Sequence, residues 1–224
     1  MEKKTGQSET SVEGVRKKST LREYLEALII ALIIALFIRT FVVQAFKIPS
    51  GSMESTLLIG DHIFVNKFIY GIRIPFIKKR LFEFQEPERG DVIVFIFPED
   101  KSKDFIKRVV GVENDVIEIR NKRLYVNGEL QDEPYTQYVE SGQIVPRRDN
   151  FGPITVPEGK IFVEGDNRDR SYDSRFWGFV EKSDVVGKAF IIYFSIKNTP
   201  DASWYQFWKW PERIRWGRIG DLIH

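Results

Sequence analysis

An unbroken apolar run near the N-terminus constrains the architecture of this chain more than any other feature. Every side chain from Ala27 to Ile38 is apolar, and after two further residues the stretch 41–46 is again mostly apolar. A helix of about 20 such residues crosses the ~30 Å hydrocarbon layer of a bilayer. The sequence therefore predicts one transmembrane helix over residues 23–46, with Arg39 close enough to one end to reach the interface.

Two other interpretations of this run compete with an anchor. A buried helix of a soluble protein is the first, but consecutive apolar residues leave such a helix no polar face. A cleavable signal peptide is the second, because Val-Gln-Ala at 43–45 resembles a cleavage site. The segment ahead of the run has 26 residues, which is long for the charged first region of a signal peptide. An uncleaved anchor is therefore preferred.

The residues ahead of the anchor predict its orientation. Residues 1–22 are polar and aperiodic, which predicts a disordered tail. The basic residues nearest the apolar run are Arg16, Lys17, Lys18 and Arg22. Positive charge favours the cytoplasmic side of a membrane. We therefore expect a cytoplasmic tail, with the rest of the chain on the extracytoplasmic side.

Residues 47–200 predict a β domain. Roughly eight to ten short runs of β-branched and aromatic residues are bounded by turn residues, with no helical pattern between them. Such a series favours a mainly β fold with an antiparallel sandwich or barrel-like architecture. Prolines, glycines and charges are frequent in residues 130–158, which predicts a loop-rich excursion from the core.

The C-terminal stretch, residues 201–224, contains four of the five tryptophans, interleaved with lysines and arginines. Two interpretations stay open. Tryptophans and cations together favour a membrane–water interface. Alternatively, the tryptophans pack on the β core.

The composition excludes several classes of site. The chain has no cysteine, which excludes disulfides, thiolate catalysis and zinc–sulfur sites. It has only two histidines, His62 and His224, and its net charge of +2 gives no reason to expect nucleic acid as a partner. Phosphate-loop, Gly-x-Ser-x-Gly and Ser-x-x-Lys motifs are absent from the sequence. We predict no metal and no cofactor.

A serine nucleophile needs a base, and lysine is the base that this composition leaves. A lysine with the usual pKa of ~10.4 is charged at neutral pH, but burial among apolar groups lowers that pKa by several units. Strand alternation places Lys107 on one face with Phe105 and Val109. The pattern also allows a surface lysine on a half-buried strand.

A third polar region, residues 164–180, alternates glycine, aspartate, asparagine and arginine before a pair of aromatic residues. It predicts either a solvated turn held by salt bridges or a polar loop that orients a catalytic group.

Five stretches, in this order, together resemble the bacterial type I signal peptidases. They are IPSGSM after the apolar run, GDHIFVNKFIYG, RGDVIVF, IKRVVG and GDNRDRSYDSRFWGFV. The resemblance implies a mainly β catalytic domain at the outer face of the bacterial inner membrane. It also implies a Ser–Lys dyad that removes signal peptides from exported preproteins through an acyl-enzyme. The implied partners are preprotein signal peptides and the lipid bilayer, with the export machinery nearby.

Carried over motif by motif, the resemblance assigns three catalytic roles. Ser52 is the nucleophile and Lys107 the general base. Ser50 joins the backbone N–H of Ser52 in the oxyanion hole, where such donors are typically worth a few kcal/mol of the barrier.

The resemblance also assigns supporting and substrate-binding residues. Ser171 orients the lysine, Asp173 and Arg175 form an ion pair that supports the loop, and Gly165 and Asp166 shape it. The positions that match shallow substrate pockets are Phe46, Ile48, Met53 and Ile106.

The sequence departs from the family motif at one position. Ser55 stands before Thr56 where the family often has proline, which leaves the dyad intact but removes a rigid residue from the turn.

Two rival functions compete with a signal peptidase. They are an inactive membrane-tethered β module and a self-cleaving protease of the SOS-repressor type. The second would carry a DNA-binding helix pair, which the sequence lacks.

Overall fold

The computed structural model of the chain describes residues 20–73, 80–81, 84–140, 142–197 and 210–224. The chain divides into two units, residues 1–38 and residues 39–224. Most of the predicted disordered tail lies outside the described residues. Residues 20–22 of that tail begin a helix instead.

The first unit contains helix α1, Thr20–Phe37. A π-helical turn, Ile38–Val42, falls at the boundary between the two units. Apolar side chains cover the helix, and those of Leu28, Ile33 and Phe37 are more than half exposed. None of the helices in the described part of the chain is both long enough and apolar enough to cross a membrane.

The predicted helix over 23–46 is wrong at its C-terminal end. Residues Val43–Lys47 form strand β1, which pairs antiparallel with the strand that follows, from Val43 opposite Asn66 to Lys47 opposite His62. Phe46 packs against a buried cluster of the β unit. The apolar residues 43–46 are compatible with a continued helix, but pairing with β2 and the packing of Phe46 favour a strand.

The second unit is mainly β. Its strands are β1 Val43–Lys47, β2 Asp61–Asn66, β3 Ile72–Arg73, β4 Arg80–Leu81, β5 Val92–Ile96, β6 Asp104–Gly111, β7 Val116–Arg120, β8 Arg123–Val126, β9 Glu129–Leu130, β10 Phe151–Thr155, β11 Lys160–Glu164, β12 Val180–Glu181 and β13 Val185–Ser195. Two short helices join them, α2 Ser174–Trp177 and α3 Trp210–Arg213.

The strands form antiparallel sheets, as the sequence predicts. The largest has the order β1-β2-β13-β5-β6-β11-β12, the second has the order β10-β7-β8-β9, and β3 pairs with β4. Three buried apolar clusters pack against the sheets, and one of them contains Ile48, Met53 and Leu57 from the loop between β1 and β2. That cluster ties the loop carrying the predicted nucleophile to the core.

The predicted excursion over 130–158 is correct only in part. Much of 130–150 is loop, but Phe151–Thr155 forms strand β10 and pairs with β7. The sequence hid this strand because a proline and a glycine lie within it, and such residues are tolerated at sheet edges and irregularities. The pairing is indeed irregular, with a register shift between Phe151 and Ile154.

The C-terminal stretch packs on the β unit through residues 213–224. Ile223 is buried in the first apolar cluster, and Arg215 and Arg218 point inward to the buried carboxylate of Asp61. These arginines therefore do not form a cationic surface. The side chain of Trp216 is 64% exposed, while residues 201–209 lie outside the described residues.

Candidate active site

Ser52 lies in the compact loop between β1 and β2. The base of this loop is closed by two backbone hydrogen bonds, from Ile48 N to the Asp61 carbonyl at 2.8 Å and from Gly60 N to the Ile48 carbonyl at 3.0 Å. After Ser52 the chain makes a helical turn in which Leu57 N donates to the Met53 carbonyl at 2.7 Å. The buried Met53 side chain fixes the turn from below.

Lys107 lies on β6, where neighbouring strands β5 and β11 cover both edges. Its Nζ atom is 2.7 Å from Ser52 Oγ and 3.1 Å from the Ile106 carbonyl oxygen. Only 4% of Lys107 is exposed, and Nζ lies 5.7 Å from the centre of the Phe105 ring. The surface-lysine interpretation is therefore wrong.

Burial sets the protonation of this lysine. The loss of hydration lowers the pKa of Lys107 from 10.5 to about 8, although the charges of Asp173 and Asp166 oppose the shift. At 2.7 Å a charged ammonium donates to Ser52 Oγ, whereas a neutral amine can accept the hydroxyl proton. The arrangement allows proton transfer from serine to lysine near neutral pH.

The loop after β11 packs against the backbone of Ser52, the predicted nucleophile. The Asn167 N–H donates to the Ser52 carbonyl at 3.2 Å, and the Asn167 side-chain amide donates to the Gly51 carbonyl at 3.2 Å. A Cβ atom on Gly165 would lie 2.4 Å from the Ser52 carbonyl oxygen and 2.3 Å from Ser171 Oγ. Only glycine leaves room for this approach.

Asp166 links the two halves of the site. Its carboxylate receives two hydrogen bonds of 2.8 Å from the Arg108 guanidinium, and both side chains are buried. It also accepts a hydrogen bond of 2.6 Å from Thr56 Oγ1. Because Arg108 follows Lys107 and Thr56 belongs to the loop of Ser52, this pair connects the strand of Lys107 to the loop of Ser52.

Asp173 and Arg175 form the ion pair that the sequence predicts. The guanidinium makes two contacts of 2.8 Å with the carboxylate, and both residues are buried. Burial alone would raise the pKa of Asp173, but the charge and hydrogen bonds of Arg175 hold it below its usual value. The carboxylate also accepts the Gly165 N–H at 3.1 Å, so the pair supports the loop behind Ser52.

Ser171 is buried beside these groups, but no hydrogen bond joins it to Lys107 among the described contacts. Its hydroxyl is close enough to Asp173 to help lower the pKa of that carboxyl, yet no hydrogen bond of ordinary geometry forms. The orienting role of Ser171 stays a prediction. So does the oxyanion role of Ser50, which is exposed two residues before Ser52.

The four predicted pocket residues all belong to or pack against one apolar cluster. Ile48 is 2% exposed and Met53 is fully buried, so these two side chains present no surface for a substrate to touch. They are core residues beneath the site. Phe46 and Ile106 are half-buried and keep some surface toward solvent.

A family model described as signal peptidase, peptidase S26, matches residues 21–194. The chain belongs to the S26 signal peptidase family. A signal peptidase I of Pseudomonas fluorescens is 41% identical over 216 residues, which cover 82% of this chain and 76% of that protein. A signal peptidase I of Aquifex aeolicus is 35% identical over 231 residues, which cover 79% of this chain and 86% of that protein.

A solved structure is also similar to part of this S26 family member. The crystal structure of a signal peptidase I from Enterococcus faecalis is 34% identical in sequence. The alignment covers 46% of this chain and 97% of that chain, with a TM-score of 0.41.

Several residues that hold this S26 site together were not predicted from the sequence. Arg108 and Thr56 both bind Asp166, and Asn167 holds the backbone on either side of Ser52. Arg108 adjoins the predicted base, and Asn167 lies within the polar stretch 164–180. Their partners are far away in sequence, and no local pattern identifies them.

Ser55, the departure from the usual motif, also has a defined place. It has a left-handed backbone with φ of 92°, and its hydroxyl donates to the Tyr135 carbonyl. A proline could not adopt this φ. The serine instead ties the nucleophile loop to the segment after β9.

Proposed function

We propose that this chain is a serine endopeptidase that removes signal peptides from exported preproteins, with Ser52 as nucleophile and Lys107 as general base. The observation that carries the proposal is the 2.7 Å contact between Lys107 Nζ and Ser52 Oγ, made by a lysine that is almost completely buried. Membership of the S26 family supplies the substrate class.

The chemistry proceeds in two transfers. Neutral Lys107 takes the hydroxyl proton while Ser52 Oγ attacks the scissile carbonyl carbon. The tetrahedral oxyanion is stabilised by the Ser52 N–H and the Ser50 hydroxyl. The leaving amine takes the proton from Lys107 as the C–N bond breaks. A water molecule, deprotonated by the same lysine, then attacks the acyl-enzyme and releases Ser52.

Burial makes this lysine usable as a base. With a pKa of 10.5, about 0.03% of the amine would be neutral at pH 7. With a pKa of about 8, the neutral fraction at pH 7 rises to about 10%. Desolvation therefore raises the population of the reactive form about 300-fold.

The preprotein binds in an extended conformation along the strand that leads into Ser52. Strand β1 lies at one edge of the seven-stranded sheet, and an edge strand offers backbone groups to a peptide by strand addition. Small side chains before the cleavage site, typical of signal peptides, suit a shallow surface, because Ile48 and Met53 are buried in the core beneath it.

The apolar helix holds the enzyme at the bilayer. Thr20–Phe37 exposes apolar side chains around its circumference, and an apolar surface of that extent is covered by another apolar phase. The positive residues ahead of it favour a cytoplasmic tail and an extracytoplasmic β unit. The enzyme is then a protein of the bacterial inner membrane, close to the export machinery that delivers its substrates.

The absence of cysteine from the chain makes this topology testable. Ser102→Cys, on the exposed surface of the β unit, and Ser11→Cys, in the tail, each give a chain with one thiol. A membrane-impermeant maleimide added to spheroplasts should label Cys at 102 and spare Cys at 11. Equal labelling before lysis, or the reverse pattern, would contradict the orientation.

The catalytic proposal is tested by preprotein cleavage with Ser52→Ala and Lys107→Ala. Each should abolish cleavage, because each removes one partner of the 2.7 Å contact between Ser52 Oγ and Lys107 Nζ. Lys101→Ala is the matched control, since Lys101 is an exposed lysine paired with Asp184, and it should cleave like the unmodified enzyme. Near-normal cleavage by either active-site variant would refute the dyad and favour a different site.

A further inference from the structure

Residues 213–224, here called the C-terminal segment, pack directly behind the nucleophile loop. The segment lies beyond residue 194, where the family match ends. Ile192 N donates to the Asp221 carbonyl at 2.9 Å, and Ile223 N donates to the Phe190 carbonyl at 3.0 Å. The Ile223 side chain is 6% exposed and joins the cluster of Met53 and the other apolar residues beneath Ser52. The segment is therefore fixed to β13 and to the floor of the site.

A buried carboxylate connects the C-terminal segment to the end of the nucleophile loop. Asp61 has no exposed surface. Its carboxylate accepts hydrogen bonds from Arg218 Nη2 at 2.7 Å, Arg215 Nη2 at 3.1 Å and Ser195 Oγ at 2.6 Å. Asp61 also accepts the Leu58 N–H at 2.8 Å. Two cations from the C-terminal segment thus neutralise the charge that closes the loop.

Arg218 also reaches further into the loop than Asp61. The same Nη2 atom donates to the Thr56 carbonyl at 2.8 Å. Thr56 lies four residues after Ser52, and its hydroxyl is bound to Asp166. A single guanidinium therefore binds both Asp61 and the backbone of the turn that follows Ser52.

The segment also contacts the strand that carries Lys107, through the neighbouring residue Arg108. The His224 carbonyl accepts a hydrogen bond of 2.7 Å from Arg108 Nη1. Arg108 is the neighbour of Lys107 on β6 and the partner of Asp166. One short segment consequently contacts both the turn that carries Ser52 and the side chain next to Lys107.

We propose that Arg218 is a positioning residue, which sets the register of the nucleophile loop against β6 and thereby the approach of Ser52 to Lys107. This inference rests on the proposed function. Without the guanidinium, the Thr56 carbonyl loses its contact with the C-terminal segment, while Asp61 keeps Arg215 and Ser195. The fold should survive, and the loop should shift.

The test compares Arg218→Ala and Arg218→Lys with Arg213→Ala in steady-state preprotein cleavage by the full-length protein. Arg213 is the matched control, because it lies in the same segment and its side chain donates to the Lys197 carbonyl, away from the loop. We expect kcat of the alanine variant to fall about tenfold, since small misplacements of a catalytic group have effects of this size or larger. KM should change less than about twofold. Lysine should restore part of the loss, and Arg213→Ala should have normal kcat.

Further readouts separate positioning from general damage. Added guanidinium at millimolar concentration should partly restore kcat of Arg218→Ala and should leave Ser52→Ala inactive. The pH at which activity begins should not move, because Arg218 does not contact Lys107. Unchanged kcat in Arg218→Ala would overturn the inference, and so would a loss matched by the fraction of unfolded protein at the assay temperature. Preprotein cleavage by Ser52→Ala at a near-normal rate would instead refute the proposed function.

Discussion

Lys107→Met separates the two consequences of burying a lysine, because it should abolish activity and stabilise the fold. The ammonium lies in a site where its pKa falls from 10.5 to about 8. The unfolded chain therefore binds this proton more tightly than the native chain does. At pH 7 the difference corresponds to about 3 kcal/mol against folding. Methionine fills a similar volume without a charge.

The lost contact with Ser52 offsets part of this gain. A hydrogen bond of this kind contributes about 1 kcal/mol net. Lys107→Met should therefore raise the free energy of unfolding by about 2 kcal/mol at pH 7. A lowered lysine pKa destabilises fully below about pH 8, and the penalty disappears as pH rises through 10.5. At pH 10 only about 1 kcal/mol of it remains, and the advantage of methionine should be close to zero.

The assay is urea unfolding of the full-length chain at pH 7 and pH 10, followed by tryptophan fluorescence. Lys101→Met is the control, because Lys101 is 58% exposed and its replacement should give a small change at both values of pH. The reasoning is refuted if Lys107→Met is less stable than the unmodified protein at pH 7. A gain of equal size at pH 7 and pH 10 would also contradict it, since packing alone would then explain the effect.

Three further substitutions test the contacts around the dyad. Gly165→Ala should lower kcat for preprotein cleavage by about 100-fold or more, because its methyl group would displace the Ser52 carbonyl. A normal kcat would show that the loop accommodates the methyl group without moving Ser52. Asp166→Asn should lower the free energy of unfolding by about 3 kcal/mol, because Arg108 is left as an unneutralised buried charge; a change below about 0.5 kcal/mol in urea unfolding would count against this pair. Thr56→Val should reduce kcat by several-fold with little change in KM, because it removes the 2.6 Å bond to Asp166; an effect confined to KM would point to substrate binding instead.

Local sequence patterns predicted which helices and strands exist better than they predicted where each one begins and ends. Runs of β-branched and aromatic residues identified β2, β5, β6, β11 and β13 of the large sheet, but not its end strands β1 and β12. The end of the N-terminal helix could not be predicted in the same way, because residues 43–46 are mostly apolar, like the run before them. Their state is decided by pairing with β2, which is a tertiary contact and leaves no local signal.

The same distinction applies to the site. Ser52 and Lys107 were selected by motif resemblance, and the sequence could state the chemistry that a buried lysine would supply. It could not show that Lys107 is buried, because β6 is covered on both faces and its burial pattern does not alternate beyond Ile106. The contacts of Arg108 and Arg218 join residues more than fifty positions apart, so only the folded chain reveals them.

The interpretation of the C-terminal stretch was limited for a related reason. Interleaved tryptophan and arginine residues are typical of a membrane interface, and the composition is the same when the arginines turn inward. Arg215 and Arg218 bind Asp61, an aspartate that begins a strand and carries no sequence signal of being an ionic centre.

The central claim is that Lys107, kept neutral by burial, deprotonates Ser52. Its most direct test is the dependence of preprotein kcat/KM on pH, with Ser52→Ala as the blank. We predict that kcat/KM rises about tenfold per pH unit at acidic pH, bends near pH 8, where the pKa of Lys107 lies, and is level above it. A bend near pH 10 would show a lysine that is not desolvated, and a profile without a basic group between pH 7 and 9 would contradict the assignment of Lys107 as the base.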